Sequence, residues 1–191
     1  MICNNLGING KGHLTFAGQN TIELAEKYGT PLYLLDEQKV REKMNIYVKA
    51  MKENFGEHSL PLYASKALCF KKIYQMAAEE NMGVDVVSSW ELYTALKAGF
   101  PMKNVYFHGN NKTDEDVKFA IENKIGYFVC DNLDELDAID SVAGEFRISQ
   151  KILLRLTPGI DPHTHVKIST GKVDSKFGIA IETTFPVEIF T

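Results

Sequence analysis

The chain has 191 residues and a mass of 21.5 kDa, about one domain by length. It is 45% hydrophobic and 24% charged, which excludes wholesale disorder, a collagen-like repeat and a disulfide-stapled miniprotein. With 21 basic against 25 acidic residues the net charge is −4, so nucleic acid is not an expected partner.

The N-terminal run MICNNLGINGKGHLTF holds no apolar core of signal-peptide length. No stretch approaches the roughly 20 apolar residues of a membrane helix. Cys3, Cys69 and Cys130 are odd in number, widely spaced and without a Cys-x-x-Cys pair. They read as reduced, buried thiols, and the cytoplasm is the expected location.

In chain order, NTIELAEKYG predicts a helix opened by Asn20 with Glu23 and stopped at Gly29. TPLYLLD, residues 30–36, is a short apolar run. Beyond it Val40, Met44, Tyr47, Met51 and Phe55 recur at steps of three and four, one stripe of a longer helix. Strand-like runs then begin at Pro61, Gly83, Asn104, Gly126 and Ile152, at steps of 22, 21, 22 and 26 residues. Each gap carries a helix pattern. Phe70, Ile73 and Ala77 form the first stripe. Ser88 with Glu91, Thr113 with Asp116 and Asn132 with Glu135 open the next three. Leu92, Ala95, Leu96 and Gly99, then Val117, Ala120 and Ile121, then Leu136, Ile139 and Val142 are their apolar faces.

This alternation means βα units and a parallel sheet, with strands apolar on both faces as though helices covered each. An open doubly wound sheet and part of a (β/α)₈ barrel both satisfy the pattern. Only five barrel-type strands are legible, and a barrel needs eight.

Lys66 ends the first regular strand, where α/β sites are built. A partly desolvated amine there can form a Schiff base with a carbonyl compound; a snorkelling surface lysine satisfies the position equally. Asp85 in GVDVVSS and Arg155 in ILLRLTPG interrupt apolar strands. A buried lone charge is costly, so they are expected to serve each other or a polar ligand, unless they turn to solvent. His108, with Gly109 and Asn110, follows the third strand and suits either a ligand-facing loop or a satisfied structural histidine. His163 and His165 with Asp161 offer too few ligands of metal spacing, and no metal is expected. Neither a Gly-x-Gly-x-x-Gly nor a Walker phosphate loop is present.

Several motifs in order resemble the fold-type III pyridoxal-phosphate decarboxylases: TPLYLLD, YASKALCFKKIYQMAAEEN, GVDVVSSWELYTALKAGFP, VYFHGNNKT and LLRLTPGID. HTHVKISTGKVDSKFGI resembles the members that decarboxylate meso-diaminopimelate to L-lysine more than those that act on ornithine or racemise alanine. The resemblance covers about residues 10–182. It implies a (β/α)₈ TIM-type barrel, incomplete here with about five strands, and a second β-domain to which residues 1–36 contribute. Residues 37–191 would then be a truncated pyridoxal-phosphate-binding barrel. Lys66 matches the lysine that holds the cofactor covalently; Asp85, His108 and Arg155 match polar positions around it.

The resemblance also implies a small amino-acid substrate, a homodimer for the full-length enzyme, and no membrane partner. Another decarboxylase or racemase of this fold, or a non-catalytic pyridoxal-phosphate-binding barrel, are the alternatives. After KFGIAIE the text TTFPVEIFT departs from the family, and the family's remaining site segments do not follow. The chain alone is therefore expected to be inactive, with open sheet edges at 61–66 and 152–157.

Overall fold

A computed structural model describes residues 3–159 and 177–181. Asp161, His163, His165, Gly171 and the closing TTFPVEIFT lie outside the described residues. The chain divides into two compact units, residues 1–58 and 59–191.

The first unit opens with strands that the sequence reading lacks. β1 (Leu6–Ile8), β2 (Leu14–Phe16) and β3 (Gln19–Asn20) form an antiparallel meander, with Leu6 opposite Phe16 and Thr15 opposite Asn20. The tight β2–β3 turn uses Ala17 and Gly18, both at positive φ, as a two-residue hairpin requires. Strands of two or three residues are too short to show an alternation, so no period betrayed them. Helix α1 (Thr21–Tyr28) starts as expected: the Asn20 side chain accepts the Ile22 N–H at 3.1 Å and donates to Glu23 Oε1 at 2.8 Å. It ends at Gly29, φ +81°. Residues 30–36 join no strand among the described residues.

Helix α2 (Glu37–Phe55) is capped by Asp36, whose Oδ1 accepts the Lys39 N–H at 3.1 Å. Its buried residues are Met44 and Val48, whereas Tyr47 and Phe55 are exposed. The stripe expected through 47 and 55 is therefore corrected. On a 3.6-residue period Tyr47 falls at the rim of the Met44 face, and Phe55 shares that face but is the last helical residue.

The second unit is the alternation itself. β4 (Leu62–Ala64), β5 (Gly83–Val86), β6 (Val105–Phe107), β7 (Tyr127–Cys130) and β8 (Lys151–Leu154) pair in parallel in that order. Between them run α3 (Lys71–Glu79), α4 (Ser89–Lys97), α5 (Asp114–Glu122) and α6 (Leu133–Phe146). Ile73, Met76 and Ala77 of α3, Leu92 and Ala95 of α4, Val117, Ala120 and Ile121 of α5, and Ile139 and Ala143 of α6 are buried. So are Val84, Val86, Val105, Phe107, Phe128 and Cys130 from the strands. The alternate strand positions Asp85, Tyr106, Tyr127 and Val129 are only partly buried.

This one-sidedness corrects the expectation of helices on both faces. A doubly wound sheet reverses its strand order at a switch point; here the order never reverses, so every right-handed crossover falls on one face. The sheet is five successive strands of a (β/α)₈ barrel, and the face opposite the helices is the barrel interior. On it Tyr106 stacks on Tyr127 at 4.5 Å, and Lys151 Nζ lies 5.4 Å from the Tyr127 ring.

Two further strands, β9 (Leu156–Thr157) and β10 (Ile179–Ala180), pair in parallel with Ile179 beside Leu156. The edge expected to be open at 152–157 is thus covered over its last two residues. The cysteines are free, and Cys130 is buried, but Cys3 and Cys69 are exposed. The expectation of three buried thiols fails for those two because they lie in loops, outside the packed strands. Among the described residues no helix is long and apolar enough to cross a membrane.

Candidate active site

The carboxyl ends of β4–β8 carry every candidate site residue. Lys66 sits in a single 3-10 turn, Ser65–Ala67, directly after β4. Ser65 is fully buried and Lys66 is exposed. The Lys66 amine makes no hydrogen bond or ion pair among the described residues. It lines a cavity of about 370 Å³ with Phe107, His108, Lys112, Arg155 and Phe177.

Asp85 and Arg155 do not serve each other. Asp85 Oδ2 lies 3.6 Å from His108 Nδ1, one strand over. Arg155 Nη1 donates to Asp131 Oδ1 at 2.9 Å, also one strand over. In a parallel sheet adjacent strand ends are closest, whereas β5 and β8 are separated by two strands. Asp131 is 3% exposed and its second oxygen accepts the Gly178 N–H at 3.1 Å, so it ties β7, Arg155 and the approach to β10 together. The Arg155 guanidinium stacks over Phe177 at 4.4 Å.

Lys112 is the residue that sequence reasoning missed. It belongs to the His108–Lys112 loop after β6, yet its side chain is 2% exposed. Its ammonium donates to Glu135 Oε1 at 2.6 Å, Gly109 O at 2.8 Å and Val129 O at 3.0 Å. All three protons are satisfied, the condition under which a buried ammonium is tolerated. Gly109 stands at φ +114°, with its α-carbon facing the Val87 carbonyl; a Cβ would approach that oxygen to 3.3 Å. The loop is thereby held flat against the end of β5. The legible signal was the i, i+4 pair Asp131 and Glu135 at the start of α6, which the capping pattern absorbed.

Charges then balance pairwise: Lys112 with Glu135, and Arg155 with Asp131. What stays open is the polar edge of the Asp85–His108 pair. Asp85 Oδ1 and His108 Nε2 are buried with no hydrogen-bond partner among the described residues. Buried polar atoms are nearly always satisfied, so these two call for a polar ligand. An electrophilic carbonyl suits the unpaired Lys66 amine, and a heteroaromatic ring with polar substituents suits the orphaned atoms. The residues present fit pyridoxal phosphate.

A (β/α)-barrel strand set whose cavity holds one lysine, Lys112, engaged in an ion pair and another, Lys66, without a partner among the described residues fits a carbonyl-cofactor-binding domain. A family model described as "Pyridoxal-dependent decarboxylase, pyridoxal binding domain" matches residues 37–188. The chain belongs to this family, and pyridoxal phosphate is its cofactor. Diaminopimelate decarboxylase of Bacillus methanolicus is 49% identical over 175 residues, covering 92% of this chain and 40% of that protein. The Staphylococcus aureus enzyme of the same name is 43% identical over 174 residues, 91% of this chain and 40% of that protein. The crystal structure of diaminopimelate decarboxylase from Methanocaldococcus jannaschii superimposes with a TM-score of 0.83 at 36% identity, over 95% of this chain and 42% of that one. The chain thus spans about 40% of the length of the curated relatives it matches.

Proposed function

We propose that the protein to which this sequence belongs decarboxylates meso-diaminopimelate to L-lysine and carbon dioxide, with pyridoxal phosphate held by Lys66. The observation that carries the reading is the Lys66 amine, without a partner among the described residues, at a cavity also lined by His108, whose buried Nε2 lacks a partner there and whose Nδ1 faces Asp85. The identity of 43–49% to relatives named diaminopimelate decarboxylase supports the substrate.

When bound, the cofactor ring acts as an electron sink for the carbanion left by departing carbon dioxide. Lys66 would hold the cofactor's carbonyl carbon through its amine. Asp85 and His108 would supply hydrogen bonds that help hold the cofactor. Arg155, fixed by Asp131 and stacked on Phe177, presents a positive charge at the cavity wall without freedom to swing. Residues 1–36 contribute to a second β-domain, the working form is a cytoplasmic homodimer, and the substrate is a small amino acid.

Two measurements test this. Incubation with pyridoxal phosphate followed by borohydride should label the peptide containing Lys66, and Lys66→Ala should abolish that label. The protein isolated from its source should release carbon dioxide from meso-diaminopimelate and not from ornithine or arginine. Labelling of another lysine, or preference for another substrate, would refute the corresponding half of the reading.

A further inference from the structure

Two helix-capping glutamates in this fold face the wrong way for caps. Glu91 and Glu135 are each the third residue of their helix, after the caps Ser88 and Asn132. In a reciprocal capping box that third side chain returns to the cap's own N–H. Asp116 does so in α5, accepting from Thr113 N at 3.0 Å. Glu91 Oε2 instead accepts the Val87 N–H at 2.8 Å, and Glu135 Oε2 the Asp131 N–H at 3.4 Å, each one residue before the cap. Each glutamate then reaches across to the end of the preceding strand. Glu135 meets Lys112 after β6, and Glu91 meets Ser65 Oγ after β4 at 2.6 Å. The same device recurs two βα units apart, so it is not an accident of one turn.

We propose that Glu91 is a positioning residue for Lys66: it clamps the Ser65–Ala67 turn to the end of β5 so that the amine enters the cavity from a fixed backbone. This rests on the reading of Lys66 given above. The Lys66 side chain has four rotatable bonds and no partner among the described residues, so its backbone is what aims it. That backbone is tied at Ser65, whose fully buried hydroxyl lies 2.8 Å from the Asp85 carbonyl and 2.6 Å from Glu91, one proton serving both. Leu68 N–H closes the turn on Ser65 O at 3.1 Å, and Tyr63 OH donates to Leu68 O at 2.8 Å. These two bonds stay within the segment. The Ser65 side chain also meets the Tyr74 side chain of α3, but its bonds to Asp85 O and Glu91 are what join the turn to β5, and Glu91 extends that link to Val87 and the start of α4. A hydrogen bond to a charged group is among the stronger kinds in a fold, so the clamp's loss should be measurable.

The experiment compares Glu91→Ala, Glu91→Gln and Ser65→Ala in the full chain. Amide hydrogen exchange is read over residues 62–70, and borohydride trapping of pyridoxal phosphate on Lys66 is read by peptide mapping. In Glu91→Ala, exchange should rise and the trapped yield at fixed cofactor should fall, each by about ten-fold or more. Glu91→Gln should stay within about two-fold of wild type on both, because its amide oxygen can take the place of Oε2, which accepts from both Val87 N–H and Ser65 Oγ. Should Glu91→Ala fail to unfold cooperatively, Ser65→Ala removes the same contact from the other side and should give the same two changes. Unchanged exchange and trapping in a folded Glu91→Ala would overturn the proposal, as would a Glu91→Gln as impaired as the alanine variant. Wild-type trapping on a lysine other than Lys66 would instead refute the cofactor reading, while the exchange comparison would still decide the clamp.

Discussion

Replacing Lys112 with methionine keeps the length and apolar stem of the side chain and removes its charge. The Glu135 carboxylate, 6% exposed, then loses its counter-ion, and the Gly109 and Val129 carbonyls lose a donor. Leaving one member of a buried ion pair unpaired costs about 3–5 kcal/mol. Native-state hydrogen exchange of β6 and β7 reads this unit irrespective of the first one. At about 1.4 kcal/mol per factor of ten, the slowest amides of Val105–Phe107 and Tyr127–Cys130 should exchange some hundred-fold to a few thousand-fold faster. Glu135→Leu alone should be comparably harmful, because it strands the ammonium. The double variant Lys112→Met/Glu135→Leu should recover much of the loss, since no charge is then left buried. A Lys112→Met protein within about three-fold of wild type, or a double variant whose losses simply add, would refute the assignment of this pair as a buried, mutually dependent couple.

Other outcomes follow from single sites. Gly126→Ala should prevent folding or lower stability by several kcal/mol, because a Cβ there would collide with the backbone carbonyl of Lys103; a thermal melt decides it. Burial pushes the Cys130 thiol from 9.0 up to about 11. Its folded pKa is raised, so its contribution to stability is complete below about pH 9 and is lost as pH rises toward 11. Cys130→Ala should flatten that alkaline loss, and Cys130 should resist alkylation while exposed Cys3 and Cys69 react. The Asn5 side-chain amide, 3.1 Å from Asp36 Oδ2, and the Lys39 N–H hold the Asp36 carboxyl below its usual 3.8. Its folded pKa is lowered, so its contribution is present above that value and disappears as pH falls through the folded pKa. Asn5→Ala should move the Asp36 titration upward, as read by NMR.

How much of this was legible depends on the range of the interactions concerned. Helix faces such as Val117, Ala120 and Ile121 are set by a period of 3.6 along one helix, and they are buried as read. The caps Asn20, Ser88, Thr113 and Asn132 also form as read, with partners two or three residues away. The short meander at the N-terminus escaped because three-residue strands have no period to detect. Phe55 escaped because a helix pattern does not say how far along its length the packing extends. Lys66 was found as a strand-end lysine and Asp85 as a charge in an apolar run. Their actual surroundings were not legible, because each is defined by a neighbour at least 20 residues away.

The sequence by itself determined the alternation, the helix starts and which strand ends carry chemistry, since those follow from local period, capping and the placement of polar residues in apolar runs. Only the tertiary structure decided that the sheet is one-sided and unreversed, and which charge meets which. Asp85 turned to His108 and not to Arg155, Arg155 to Asp131, and Lys112 went inward to Glu135. The physical reason is that a charge taken out of water pairs with whatever opposite or polar group the packed strand ends bring within about 4 Å. That distance is set by strand order and stagger, which no local pattern in the chain encodes.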